Sequence, residues 1–308
     1  MNTLAILCSD VHLCHFAPIA RSAELDWYEA MRRPLNEMRL LTEKFSCPLI
    51  IAGDVFDKWN SPPELINFAI DEFGQFQHGV YCIPGQHDLP GHNYEESYRS
   101  AYGSLTRSKV VTDVEGGNWA VLPGGLCLHS FPWGFPVQPL SDERIKEFAK
   151  EFDVKVHLAV VHAYIWKAGC SYPGADENKL VANVKESLKG YTSAVFGDNH
   201  IGFLAGKILN NGGLMRRKID EIDYQPSVGI LTEGGIITRH QLNCSLDVFI
   251  DREKYLDIEA EELDFSAYIE ELKEIGVATL DFREELTRRM EISKTDAGVK
   301  SIILSLLD

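Results

Sequence analysis

The sequence predicts an α/β protein, a four-layer αββα sandwich with a C-terminal helical appendage. Three observations predict it. Apolar runs that end abruptly in glycine, aspartate or histidine recur over residues 4–200, with helical patterns between them, as buried parallel strands do. From residue 109 the alternation gives way to short strand-like runs and a hairpin signal, which a simple doubly wound sheet lacks. After residue 245 the pattern turns helical and the charge balance changes. The expected division is therefore 1–245 for the main domain and 246–308 for a strand and helical appendage able to dock a partner.

Residues 4–8 form the first strand, which runs into the loop of Asp10 and His12. Residues 26–45 follow as an amphipathic helix, with Trp27, Met31, Leu35, Met38 and Leu41 at helical spacing. Pro34 inside it predicts a kink or a restart. Leu49–Ala52 is an unbroken apolar run closed by Gly53-Asp54. Ser61-Pro62-Pro63-Glu64 opens the next helix, with serine as cap and prolines in the first turn. A strand over 80–84 leads into Gly85-Gln86-His87-Asp88, and residues 94–105 read as a helix. Residues 109–112, Trp119–Leu122 and 126–129 read as short strands, the last two joined by Pro123-Gly124-Gly125. An aromatic loop over 131–136 precedes a helix over Asp142–Phe152 and a strand that brings in His162. A loop over 163–174, a helix over 178–188 and a strand ending in Gly197-Asp198-Asn199-His200 come next. Short strands then continue to about residue 250, including 227–231 and 235–240. Residues 264–275, 281–291 and 297–307 read as helices, Gly276 stopping the first.

Composition narrows the function classes. At 45% hydrophobic and 25% charged residues the chain is an ordinary globular one. No apolar run approaches the roughly 20 residues of a membrane helix, so no membrane partner is expected. The first residues enter a strand without a basic leader. The seven cysteines are scattered and never spaced Cys-x-x-Cys, so a reduced, cytoplasmic location is expected. Cys8, Cys82 and Cys170 are candidate ligands by type, but Cys8 and Cys82 lie in strand runs, which favours core packing for those two. Net charge of −16 argues against nucleic acid as a partner. But residues 245–308 carry 17 acidic against 8 basic side chains, so much of the excess lies away from the strand ends. Two bound divalent cations would also outweigh the three carboxylates of the expected pocket.

The strand ends carry the chemistry. A single Gly-Asp is usually a turn or cap; five strand ends in order, each bearing metal-binding or proton-moving side chains, are not. Open α/β sheets hold ligands at such ends. Phosphodiester hydrolysis needs a nucleophile at neutral pH, neutralised phosphate oxygens and a proton for the leaving oxygen. A pair of metal ions ~3.5–4 Å apart supplies the first two. Asp54 is expected to bridge the pair. Asp10, His12 and His200 complete one site; Gln86, His162 and Asp198 complete the other. Gly53, Gly85 and Gly197 precede ligands, where the lack of a side chain eases a sharp turn. His87 is the expected general acid, with Asp88 orienting its ring and keeping it protonated. Asp57 reads as a support or helix cap rather than a ligand. Arg216 and Arg217, with Lys218, are candidate phosphate contacts, against the alternative of a solvated turn. Trp133, Phe135, Tyr164 and Trp166 are candidate stacking platforms, against the alternative of a core rim. His92 and His129 stay open, each near a loop within reach of substrate, and His92 joins the substrate-contact set. His15, His78, His157 and His240 read as ordinary structural histidines.

The ordered set Asp10-x-His12, Gly53-Asp54, Gly85-Gln86-His87-Asp88, His162 and Gly197-Asp198-Asn199-His200 resembles the calcineurin-like metallophosphoesterase superfamily. That pattern is Asp-x-His, Gly-Asp-x-x-Asp, Gly-Asn-His-Asp, His, Gly-His-x-His. The resemblance spans about residues 4–240 and implies the metallophosphoesterase sandwich with two divalent metal ions, often manganese. Ala52-Gly53-Asp54-Val55-Phe56-Asp57 and Asn210-Asn211-Gly212-Gly213-Leu214-Met215-Arg216-Arg217 look like the SbcD branch, the nuclease subunit of a DNA repair complex with a coiled-coil ATPase. The branch implies an exonuclease or endonuclease on DNA ends. It also implies an SbcC-like coiled-coil ATPase docked on the helices after residue 264, with a homodimer as the other assembly; a virus-encoded version is compatible. Two residues depart from the pattern. Gln86 replaces asparagine and is one methylene longer. Asp198 replaces the first histidine, exchanging nitrogen for a hard, charged oxygen. Hard oxygen ligands favour Mn2+, or Mg2+, over zinc. Both changes fall on one metal, so weak binding of that ion is the other outcome.

The expected function is thus a metal-dependent phosphodiester hydrolase, a DNA exo/endonuclease subunit acting with an ATPase. The competing classes are a small-molecule phosphodiesterase or protein phosphatase on the same scaffold, and a non-catalytic scaffold.

Overall fold

The computed structural model describes residues 2–172, 174–251 and 255. In chain order the described elements are β1 (Thr3–Cys8), α1 (Trp27–Phe45), β2 (Leu49–Ala52), α2 (Pro63–Phe73), β3 (Val80–Ile83), α3 (Ala101–Arg107), β4 (Thr112–Asp113), β5 (Trp119–Leu122), β6 (Leu126–Phe131), α4 (Asp142–Phe152), β7 (Val156–His162), β8 (Ser193–Gly197), β9 (Phe203–Ala205), β10 (Ile208–Asn210), β11 (Ser227–Thr232) and β12 (Ile237–Gln241). They build two six-stranded sheets, ordered β12-β11-β1-β2-β3-β4 and β5-β6-β7-β8-β10-β9. Strands β1 to β4 are parallel, as are β6, β7, β8 and β10; antiparallel strands close one edge of the first sheet and both edges of the second.

The period-two pattern of each strand decides which layer it feeds. Leu7, Ile50 and Ile83 point between the sheets and meet Leu128, Leu158, Val160 and Val195 of the other sheet. Their neighbours Ile6, Cys8, Ile51 and Cys82 point outward under α1 and α2, against Met31, Leu35, Met38, Phe68 and Phe73. The second sheet's outer face is covered more thinly, by α4 through Phe148 and by a loop layer around Ile165, Leu188 and Tyr191. The layering is the expected αββα.

Local signals place most element ends. The Asp26 carboxylate accepts the Glu29 N–H and starts α1. The helix then runs unbroken through Pro34, so neither a restart nor a new helix occurs there; Met31, Leu35 and Met38 are buried on both sides of the proline. The helix expected over 94–105 divides at Ser100, which is extended (φ −98, ψ 170) and whose hydroxyl accepts the Gly103 N–H to start α3 afresh. Tyr94–Arg99 is a 3-10 helix. The strand expected over 109–112 is reduced to Thr112–Asp113, because Lys109 is left-handed (φ 67). The helix expected over 178–188 is absent. Leu180 is extended (ψ 133) and the segment pairs with the loop opposite: Trp166 N–H donates to Lys179 O at 3.0 Å and Val181 N–H to Trp166 O at 2.8 Å. Asn183 turns its amide to the Glu177 carbonyl instead of outward, a side-chain bond that competes with helix.

The chain divides into two units, Met1–Arg252 and Glu253–Asp308. The helices expected after residue 264 lie outside the described residues. Residues 246–250, assigned from sequence to the appendage, are tied to the first unit: Arg21 Nε donates to the Val248 carbonyl and Ile250 N–H to the Ala20 carbonyl. Arg21 is wholly buried and also bonds Glu24, Asp247 and the Arg216 carbonyl. Removing one partner of such a network leaves charges buried and unpaired. Arg21→Met is expected to cost ~3–5 kcal/mol of stability, read as a lowered midpoint in urea unfolding.

Candidate metal centre

The ends of β1, β2, β3, β7 and β8 converge on one side of the two sheets. Strand β1 delivers Asp10 and His12, β2 delivers Asp54, and β7 ends in His162 itself. The chain must turn sharply as it leaves each strand. Asp10 (φ 51), His12 (φ 48), Asp54 (φ 53) and Asp198 (φ 90) are all in the left-handed region, which non-glycine residues rarely adopt and which collects at functional sites. Four of the seven expected ligands thus carry backbone strain.

One atom lies at the middle. Asp54 Oδ2 is 3.7 Å from His12 Nε2 and 3.3 Å from His162 Nε2. On one side, His12 Nε2 and His200 Nε2 are 3.0 Å apart and each is 3.9 Å from Asp10 Oδ1. On the other side, the Gln86 amide donates to Asp198 Oδ1 at 2.7 Å. The structure therefore brings all seven expected ligands to one place, the Asp198 N–H bonding Asp10 Oδ1 across it at 2.9 Å. His162 Nδ1 is held by the Ala52 carbonyl at 2.7 Å, which fixes the ring and leaves Nε2 facing Asp54. Asp10 is held at Oδ1 by the Asp198 N–H and at Oδ2 by the Ser9 hydroxyl.

The site fits cations. Asp54 Oδ2, His162 Nε2, Gln86 Oε1 and His12 Nδ1 are buried without a hydrogen-bond partner, a costly state unless something else binds them. Burial pushes Asp10 up to about 7, with Asp54 adding to the rise. Burial opposes a charge on His162 too, yet Asp54 and Asp10 raise it to about 10. Asp54 is held well below the usual carboxylate range by His162 and His12 although burial opposes it. The Asp10–His12–His200 and Asp10–Asp54–His162 groups each have ligand atoms within 4.8 Å.

Close approach explains two glycines. A Cβ on Gly85 would enter the Asp54 carboxylate and lie 2.6 Å from His162 Nε2; one on Gly53 (φ +89) would lie 2.5 Å from His162 Cγ. Gly85→Ala is expected to displace ligands without unfolding the sheets and to weaken Mn2+ binding ~10–100-fold, measured by titration calorimetry.

Two assignments need correction. Asp88 does not orient the His87 ring. Its carboxylate is buried and accepts the backbone N–H groups of Val55, Phe56 and Gly85 at 2.9–3.1 Å, so it ties the Asp54 loop to the Gln86 loop. His87 is instead held at Nδ1 by the Asp57 carbonyl at 2.8 Å. Arg216 is not a substrate contact. It bonds Asp247 and the Ile222 and Cys244 carbonyls. Arg217 does reach the centre, pairing with Asp57 Oδ1 at 2.7 Å, where Asp57 also faces His12 Nδ1 at 3.6 Å. Lys218 is exposed.

His92 is exposed and left-handed (φ 58). Its ring lies 6.3 Å from that of Trp133, which lies 6.5 Å from that of His162. These two therefore line the rim. Phe135 packs under Gly116 and against Tyr94, and the Trp166 indole bonds the Asp176 carbonyl; both are packing residues. Tyr164 stacks near Tyr172. His15 bonds Tyr28, and His240 faces Glu37.

Sequence reading missed the supports. Asn210 donates to the Asn199 and Ile201 carbonyls, Leu214 N–H to the Asp10 carbonyl and Gly213 N–H to the His200 carbonyl. The Asn210-Asn211-Gly212-Gly213 turn thus props two ligand loops. Its polar, glycine-rich composition was the available signal; its targets, backbone carbonyls, leave none.

A calcineurin-like phosphoesterase family model matches residues 5–202. No curated protein matches the chain. Solved structures similar to it include TT1561 of Thermus thermophilus, at 10% identity and TM-score 0.43, covering 79% of this chain and 100% of that one. Haemophilus influenzae NAD nucleotidase is 12% identical at TM-score 0.42, covering 82% of this chain and 55% of that one. A 5'-nucleotidase precursor, also of Thermus thermophilus, is 12% identical at TM-score 0.41, covering 88% of this chain and 60% of that one. No helix among the described residues is long and apolar enough to cross a membrane.

Proposed function

Since the chain belongs to the calcineurin-like phosphoesterase family, a family of metal-dependent phosphoester hydrolases, we infer that its centre cleaves phosphodiesters in DNA ends as the nuclease subunit of a complex with a coiled-coil ATPase. The carrying observation for hydrolysis is Asp54 Oδ2, buried, unbonded and set between two imidazole nitrogens. Asp10, His12, His200 and Asp54 would hold one divalent ion, and Asp54, Gln86, His162 and Asp198 a second. When bound, such a pair lowers the pKa of water to near ~7 and neutralises phosphate oxygens. Mn2+ is the proposed ion, with Mg2+ next, because the Gln86–Asp198 pair presents hard oxygens. Gln86 Nε2 steadies Asp198 while Gln86 Oε1 stays free to ligate; the two departures from the family pattern support each other.

The remaining steps belong to the chain. The Asp57 carbonyl can only accept, so His87 Nδ1 carries its hydrogen. Nε2 is then the nitrogen open to the leaving oxygen: it takes a proton from solvent, and the doubly protonated ring hands that proton on and returns to its Nδ1–H form. Arg217, anchored on Asp57 beside His12, is the proposed phosphate clamp. Trp133 and His92 offer ring faces at the rim for an unpaired base. The DNA reading rests on these and on the SbcD-like segments. The net charge of −16 favours a small phosphodiester as the second reading.

The test is incubation of the chelator-treated, Mn2+-restored protein with linear duplex DNA, then with a chromogenic phosphodiester. Nucleotide release that EDTA abolishes supports the first reading. Cleavage of the small ester alone replaces it with the second. Inactivity toward both, with the folded protein and an ATPase partner present, supports the scaffold role. Sizing of the protein alone distinguishes a homodimer from a monomer awaiting its partner.

A further inference from the structure

A second side-chain cage, chemically unlike the first, lies on the outer face of the second sheet. Cys127 and His129 are two residues apart on β6 and so share a face. Strand β7 places His157 opposite Cys127 in register. The three side chains are buried, and Phe148 of α4 lies against both rings, at 5.5 Å from each. Their donor atoms all lie within 4.8 Å of one another. His129 Nε2 and His157 Nδ1 are 3.0 Å apart, the same separation as His12 Nε2 and His200 Nε2 in the acidic centre. We propose that Cys127, His129 and His157 bind one monovalent soft metal ion, Cu+, in a three-coordinate site separate from the hydrolytic centre.

The hydrogen bonding leaves one ring nitrogen open to an ion. One proton lies between the two rings, so one ring donates and the other accepts. His157 Nε2 is then left buried without a partner. Cys127 Sγ meets only the Leu128 carbonyl, at 3.7 Å. Apolar side chains would fill this face against Phe148 and Val154 without stranding any polar atom. Burial disfavours a charge on either ring, pushing His129 down to about 3 and lowering His157. Burial also pushes the Cys127 thiol up to about 12. An ion that bonds the sulfur must displace that proton: the S–H bond breaks, the S–metal bond forms, and the proton goes to solvent.

Charge and coordination number choose the ion. One thiolate and two imidazoles suit Cu+ or Zn2+. With Cu+ the cluster is neutral. With Zn2+ it keeps a net positive charge in an apolar pocket, below an Arg144 guanidinium stacked 4.8 Å from Phe148, and buried net charge is costly. Zinc also takes four ligands. No fourth His, Cys, Asp or Glu joins this group among the described residues, and the nearby Tyr191 hydroxyl donates to the Gln138 carbonyl.

The experiment is an anaerobic competition for Cu+ between the full-length protein and bicinchoninate, run on wild type, Cys127→Ser and His157→Gln. Wild type is expected to withdraw one equivalent more than either variant, while all three keep equal hydrolytic activity with Mn2+. Equal copper uptake by wild type and folded variants overturns the site. A lost Zn2+ equivalent with no lost Cu+ equivalent overturns the choice of ion. X-ray absorption on copper-loaded wild type needs no variant to fold: one sulfur and two nitrogens support the site, and a shell of oxygens or of several sulfurs overturns it.

Discussion

Asp54→Asn is expected to reduce phosphodiester hydrolysis at least ~10³-fold and to lower Mn2+ stoichiometry from two to one or none. The amide keeps the shape of the carboxylate and can still accept the His87 N–H that Asp54 Oδ1 receives at 2.9 Å. The loop geometry therefore survives. What disappears is the charge that both His12 and His162 face. Loss of several kcal/mol of metal-borne transition-state stabilisation, at ~1.4 kcal/mol per tenfold, gives the stated factor. Calorimetric titration and steady-state rates are the measurements, with circular dichroism as the control for folding. Two wild-type equivalents of Mn2+ in the variant would mean that Asp54 does not bridge.

His87→Ala is expected to behave differently. Metal binding persists, since all seven expected ligands and the Asp54 contact to the residue 87 backbone remain. Turnover of DNA falls ~10²–10⁴-fold, the usual loss of a positioned acid. Hydrolysis of a nitrophenyl ester, whose leaving group needs no proton, falls far less. Equal losses on both substrates would remove His87 from the acid role. Asp88→Ala provides the contrast. By stranding three buried N–H groups, each costing ~1–3 kcal/mol, it lowers the unfolding midpoint and loosens the Asp54 loop. A rate defect with no change in stability would contradict that supporting role.

Which oxygens and nitrogens could bind ions was legible because it is a property of residue type and order. Asp10-x-His12, Gly53-Asp54 and His162 each follow an apolar run, and a run of that kind ends where the sheet ends. The helix over Asp142–Phe152 was legible for the same local reason: Ser141 caps it and Asp142 and Glu143 sit in its first turn. The segment 178–188 carried a similar pattern and misled, because the backbone of Trp166 competes for it from another part of the chain.

The sequence by itself determined the layer pattern, the strand ends and the polar side chains that gather there, since side-chain period and donor chemistry are written residue by residue. Only the tertiary structure decided that Asp88 binds amides, that Arg216 is spent on Asp247 while Arg217 reaches Asp57, and that Gln86 and Asp198 support each other. Apart from the Gly85 N–H, three positions from Asp88, each of these is a choice of partner 31 to 160 positions away along the chain, and a hydrogen bond is specified by where the folded chain puts both of its ends.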